Sequence, residues 1–140
     1  MAFEKYLVIR TSGALEWVDL ERAPREGPVY NGDETLSNVD IRKVVGCEWL
    51  EQVTTTVPGV IMMIDEVGKL LPRPKAHNEL ASRLYAGWEP LRIDDIRGTV
   101  VLFALRPCNE IGELDLYPLS PAQLAAVAIK MRHDIPYPFP

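Results

Sequence analysis

A chain of 140 residues fits one domain and can bury roughly 68–70% of its unfolded surface, so it needs no staples to hold a core. Hydrophobic residues at 47% and charged residues at 25% are globular proportions that argue against disorder, and a net charge of −5 argues against a broad nucleic-acid-binding face. Met1-Ala2-Phe3-Glu4-Lys5 lacks the layout of a secretory signal, and no apolar run approaches the roughly 20 residues of a membrane helix.

Cys47 and Cys108 are far apart in the chain and read as free thiols of a reducing compartment. The expectation is a cytoplasmic protein with no membrane partner.

Lys5 to Thr11 predicts the first strand. Its continuous Leu7-Val8-Ile9 implies cover on both faces. Ser12-Gly13 supplies turn chemistry, and Leu15 to Leu20 alternates as a half-buried partner strand does. Glu21 to Glu34 has Pro24, Gly27, Pro28, Asn31 and Gly32 and no apolar period, so it reads as a loop insertion that Tyr30 can anchor. A helix follows, capped by Thr35 or Ser37, with Ile41, Val44 and Val45 on one face and Gly46 at its end.

Cys47 to Val57 predicts a strand with Trp49 in the core, as Trp17 is expected to be. Pro58-Gly59 turns the chain into the apolar strand Val60 to Ile64, placed centrally and antiparallel to its predecessor. Gly68 permits a positive φ for a reversal or bulge, and Lys69-Leu70-Leu71 can add a brief pairing before Pro72. Asn78 is a good N-cap for a helix Glu79 to Ala86 that Gly87 ends, with Leu80, Ala81, Leu84 and Tyr85 as its buried stripe.

Glu89 to Arg97 is a polar connection. Gly98 to Arg106 is the second apolar strand, and Leu114 to Tyr117 a short alternating one. Ser120, Pro121 and Gln123 write a capping box for the last helix, whose packing face is Leu124, Val127, Ala128 and Met131. The fold class is α+β: a single domain over 1–134 with the 21–34 insertion, about five strands of mainly antiparallel sheet packed with about three helices, and an extended Pro-rich tail over 135–140.

Catalytic motifs are missing. Gly68-Lys69 is not a phosphate loop, because Met63 stands at the earlier glycine position and Leu70 where Ser or Thr would hold magnesium. No nucleophile elbow occurs, and the scattered cysteines and histidines have no metal-ligand spacing, so no cofactor or metal is expected. His77 reads as a solvated loop residue and His133 as a helix C-terminal cation. Asp65-Glu66 and Asp94-Asp95 read as turn carboxylates, since neighbouring strand side chains point apart.

The one ligand surface in the sequence is basic and aromatic. Lys69, Arg73, Lys75 and Arg83 surround the start of the second helix, with Asn78, Tyr85 and Trp88 supplying an amide and flat rings. A helix start with such neighbours can hold a phosphate and stack a base. The plainer alternative is a solvated loop, a cap and two packed aromatics.

The middle of the chain also carries a pattern. Asp65-Glu66-x-Gly68-Lys69-Leu70, then Asn78-x-x-Ala81-x-x-Leu84-Tyr85, then Asp94-x-Ile96-x-Gly98-x-Val100-Val101 resembles a small domain of unknown function found in phages, plasmids and the genomes of actinobacteria and firmicutes. Val44-Val45-Gly46 and the Ser120 to Met131 helix resemble it too, so the likeness spans Ile41 to Arg132. The N-terminal region is longer than that pattern, and Pro72 to Ala76 is more basic.

The resemblance implies an accessory protein of a phage or mobile element and brings no catalytic residues. It points to action by binding: counter-defence through sequestering a nucleotide or blocking a host protein. The rival readings are a small enzyme on a nucleotide or nucleic acid, with Asp65, Glu66 or His77 as base, and a protein–protein module or homo-oligomer.

Overall fold

The structure is a computed structural model, described over residues 2–24, 34–68, 74–85 and 95–136. The chain is α+β. The elements are β1 (Ala2–Ile9), β2 (Leu15–Pro24), β3 (Glu34–Leu36), α1 (Asn38–Val45), β4 (Leu50–Thr54), β5 (Val60–Asp65), α2 (Glu79–Leu84), β6 (Val100–Pro107), β7 (Leu114–Tyr117) and α3 (Pro121–Met131). They build one antiparallel sheet in the order β3-β2-β1-β6-β5-β4, with β7 also paired to β6.

The continuous apolar runs predict strands covered on both faces. Tyr6 to Ile9 and Val100 to Ala104 are all buried, as are most residues of β5. Alternation then divides them between two cores. Leu7, Ile9, Met62 and Leu102 face α2 and α3, where Leu80, Leu84, Val127 and Met131 close the layer. Tyr6, Val8, Ile61 and Phe103 face the other way, under Ile41 and Val45 of α1. The Tyr6 and Phe103 rings meet at 5.0 Å between centroids, tilted by 49°. The layers are therefore α1, sheet, and α2 with α3.

Local signals act as expected at several element ends. Ser37 rather than Thr35 caps α1, because Thr35 lies in β3. Gly46 ends α1 at φ 77° with its N–H on the Arg42 carbonyl. Ser120 and Gln123 bond reciprocally at the start of α3.

Other expectations change. Glu21 to Pro24 continues β2, and Arg22, Ala23 and Pro24 pair with Leu36, Thr35 and Glu34, so both ends of the expected loop are strand. Its central part, 25–33 with Tyr30, lies outside the described residues. Helix α2 stops at Leu84, with Tyr85 extended and bridged to Thr55 on the sheet side, which ends it before Gly87. Gly87, the polar connection as far as Asp94, Lys69-Leu70-Leu71 and the tail from 137 onward lie outside the described residues.

Gly68 does not take a positive φ. It is buried in a turn where a Cβ would lie 3.3 Å from the Asp65 carbonyl oxygen, so close approach explains it. Trp17 is half-buried against the first core, and its Nε1 donates to the Pro136 carbonyl at 2.7 Å.

The sheet forks along β6. β5 runs along one edge of β6; on the other edge, β1 pairs at Val100 and Val101 and β7 at Ala104 to Pro107. Arg22 plugs the fork. Its guanidinium donates to Glu4 at 2.9 Å and to Asp115 at 3.2 Å, to the Leu116 carbonyl, and lies 4.4 Å from the Tyr117 ring centroid. A diverging pair of strands leaves backbone and side-chain acceptors that water cannot reach, and a planar five-donor group can serve several at once. Burial works to lower the Arg22 pKa, but hydrogen bonds with Glu4 and Tyr6 raise it overall.

Candidate functional site: a groove beside Trp49

Of the seven residues expected at a ligand surface, Lys69, Arg73 and Trp88 lie outside the described residues. The other four do not converge. Lys75 Nζ pairs with Asp65 at 2.8 Å and donates to the Gly46 carbonyl at 2.9 Å, which ties it to the end of α1. Arg83 reaches the other layer: it donates to the Met131 carbonyl at 2.6 Å and to Glu79 at 3.3 Å, capping α3. Tyr85 packs half-buried against the first core.

Asn78 is interior, with 0% of its surface exposed. Its Oδ1 accepts from Ala81 N at 3.1 Å, while Nδ2 donates to the carbonyls of Ile9 at 3.0 Å and Gly98 at 2.8 Å. It is a cap that also joins α2 to the end of β1 and the start of β6.

His77 is not solvated alone. Nδ1 faces Asp95 at 2.5 Å and Nε2 faces Glu79 at 2.9 Å. Ionised carboxylates only accept, so both ring nitrogens must donate and the imidazolium is the favoured form. The bonds to Glu79 and then to Asp95 raise the His77 pKa, and the His77 bond lowers that of Glu79. Arg97 on Asp95 and Arg83 on Glu79 extend this into a chain of alternating charge.

The site that sequence reasoning missed lies on the α1 side. Trp49, expected in the core, is 62% exposed. It stands in the bend before β4, the outermost strand on that side of the sheet order, so among the described residues no further strand covers it. Charged neighbours Glu48 and Glu51 were the available signal.

Trp49 sits in an open groove of about 990 Å³. One bank is the outer face of α1, with Val39, Arg42, Lys43 and Gly46; positions three and four apart share a helix face. Among the described residues, Cys47, Glu48 and Trp49 with the Asp65 and Val67 turn make up the rest of the wall. Val39 and Val67, 48% and 43% exposed, line the same groove and add apolar surface to it.

Arg42 donates to the Glu48 carbonyl at 3.4 Å, which holds its guanidinium at the residue preceding Trp49. Lys75 lies behind the wall: through Asp65 and the Gly46 and Val45 carbonyls it offsets the buried carboxylate and the negative end of α1. Burial, and then the Asp65 charge, push the half-buried Cys47 thiol up in pKa, so it stays protonated and quiet at neutral pH.

Among the described residues no group of side chains is placed to hold a metal ion, and no helix is long and apolar enough to cross a membrane. Comparison with protein-family models, with curated proteins and with solved structures returns no match.

Proposed function

We propose that this protein acts by binding, as an accessory protein of a phage or similar mobile element, and that its ligand occupies the groove beside Trp49. The observation that carries this is an exposed indole that lines an open groove together with Arg42 and Lys43. A flat ring stacks a base, and guanidinium or ammonium groups hold a phosphate. Counter-defence through sequestering a nucleotide is the role that fits this chemistry together with the resemblance to phage and plasmid domains.

Two of the three side chains considered as a general base are already engaged, which supports binding over catalysis. Asp65 is engaged by Lys75 and the Val67 N–H, and His77 has a carboxylate at each nitrogen.

Blocking a host protein is the second reading. It draws on Val39 and Val67 beside Trp49, since a clustered apolar patch with a tryptophan at its centre is a common protein-docking anatomy.

Titration calorimetry against cyclic and ADP-ribose-type nucleotides tests the first reading. Heat with wild type that is lost in Trp49→Ala is expected. No heat for any nucleotide would sink it.

A further inference from the structure

We infer that Lys75 is a positioning residue for the groove: it sets where Trp49 stands, and it is not among the described residues that line the site. This rests on the binding reading above and deepens it, because a ring held in place before a ligand arrives binds at lower entropic cost.

Among the described residues, part of the groove wall comes from two pieces of chain that are distant in sequence. One is the end of α1, with Gly46 running on to Trp49, and the other is the end of β5 and its turn, with Asp65 and Val67. The Lys75 ammonium bonds to both. It pairs with Asp65 Oδ2 at 2.8 Å, and it donates to the Gly46 carbonyl at 2.9 Å and the Val45 carbonyl at 3.4 Å. An ammonium has three donors, so these acceptors occupy it fully. Asp65 is buried, which leaves its carboxylate little water to replace the lysine.

The connection runs on to the indole. Asp65 Oδ1 accepts from the Val67 N–H at 3.0 Å, and the Gly68 N–H closes the turn on the Asp65 carbonyl at 3.1 Å. Inside that turn the Glu66 N–H donates to the Trp49 carbonyl at 2.9 Å. The carboxylate that Lys75 holds therefore also shapes the turn that fixes the Trp49 backbone.

Lys75 is itself held. Its N–H donates to the Gly68 carbonyl at 2.6 Å, and its own carbonyl accepts from Arg97 at 3.3 Å. Its stem runs along Gly98, where a Cβ would lie 2.8 Å from Lys75 Cδ. The rotamer freedom of a solvated lysine has been given up here, and the contacts it serves are those between the two pieces of wall.

The test labels the full chain with fluorotryptophan and reads each indole by fluorine NMR. Trp49→Phe and Trp17→Phe assign the two resonances. Lys75→Met keeps most of the stem and removes the three donations. It should shift or broaden the Trp49 resonance and leave that of Trp17, which packs on the other core, in place. Lys75→Arg still has donors for the carboxylate and the carbonyls, and should return the resonance toward its wild-type position. Asp65→Asn removes the ion pair but keeps an acceptor for the Val67 N–H. It should move Trp49 in the same direction, and it decides the matter if Lys75→Met does not fold. Calorimetry of the same proteins with ADP-ribose and cyclic AMP should show binding weakened roughly two- to tenfold in Lys75→Met, the range for ordering one side chain on binding.

A Trp49 resonance unmoved in Lys75→Met and Asp65→Asn overturns the inference. So does one that moves only together with Trp17, which marks a general loosening. Equal nucleotide affinity in wild type and Lys75→Met overturns it as well. No heat from either nucleotide in wild type strikes the nucleotide reading instead, and the fluorine spectra still decide for or against Lys75.

Discussion

Asn78 carries the sharpest stability prediction, because one small side chain holds three bonds at a fully buried position. In Asn78→Ala the Ala81 N–H loses its cap, worth about 1 kcal/mol. The Ile9 and Gly98 carbonyls also lose their donor, and a buried group left unsatisfied costs about 1–3 kcal/mol. Taking the low end for each carbonyl, since each has a second lone pair, the sum is about 3 kcal/mol. For a chain of this size that lowers the melting temperature by roughly 6–12 °C.

Two further variants separate the contributions. Asn78→Ser restores an acceptor for the cap, but its short hydroxyl does not replace the two N–H donations of the amide, and it should recover only about 1 kcal/mol. Asn78→Asp also keeps the cap, yet sets a carboxylate against two carbonyls with no water. Its pKa should rise on folding, so this variant should be the least stable at neutral pH and should gain stability as pH falls. Urea unfolding of all three checks the order. An alanine loss below about 1 kcal/mol, or aspartate matching serine at neutral pH, would show that Asn78 is only a cap.

Three other perturbations follow from the same geometry. Arg22→Ala should cost about 3–5 kcal/mol in urea unfolding, because it removes the buried guanidinium that Glu4, Asp115 and the Leu116 carbonyl share in the fork of the sheet. Gly98→Ala should cost about 1–2 kcal/mol from its φ of 84° alone, and more because the new Cβ falls 2.8 Å from Lys75 Cδ. The His77 clasp predicts a pH signature. The folded pKa of His77 is raised, so its contribution is fully present below the ordinary histidine value and is lost as pH rises through the folded one. That of Glu79 is lowered, so its contribution holds above the ordinary glutamate value and is lost as pH falls through the folded one. Comparing urea midpoints of wild type and His77→Gln across this range should show a difference that shrinks at both ends; a constant difference would refute the ionic clasp.

The architecture was legible because its signals are local. The runs Leu7-Val8-Ile9 and Val100 to Phe103 could only be strands buried on two faces, and Ser120, Pro121 and Gln123 write a helix start outright. The position of Asn78 as a cap was legible for the same reason. Its two inward bonds were not, because Ile9 lies 69 residues away in sequence.

Arg22 was read into a loop because Pro24, Gly27, Pro28, Asn31 and Gly32 follow it with no apolar period. Paired only along the last residues of β2, next to the short β3, Pro24 is tolerated. Trp49 was hidden by the strongest prior of all, that a tryptophan packs; its exposure follows from its place in the sheet, which composition does not state. The basic residues Lys75 and Arg83 are neighbours in the chain but serve α1 and α3 on opposite faces, so their apparent clustering dissolves once the layers form.

Calorimetric titration of the full chain with cyclic and ADP-ribose-type nucleotides, alongside Trp49→Ala, bears most directly on the proposal that the groove is the binding site. Saturable heat that weakens about tenfold in the variant, at unchanged melting temperature, is the predicted result. Equal affinity in both proteins, or no heat in either, would contradict it.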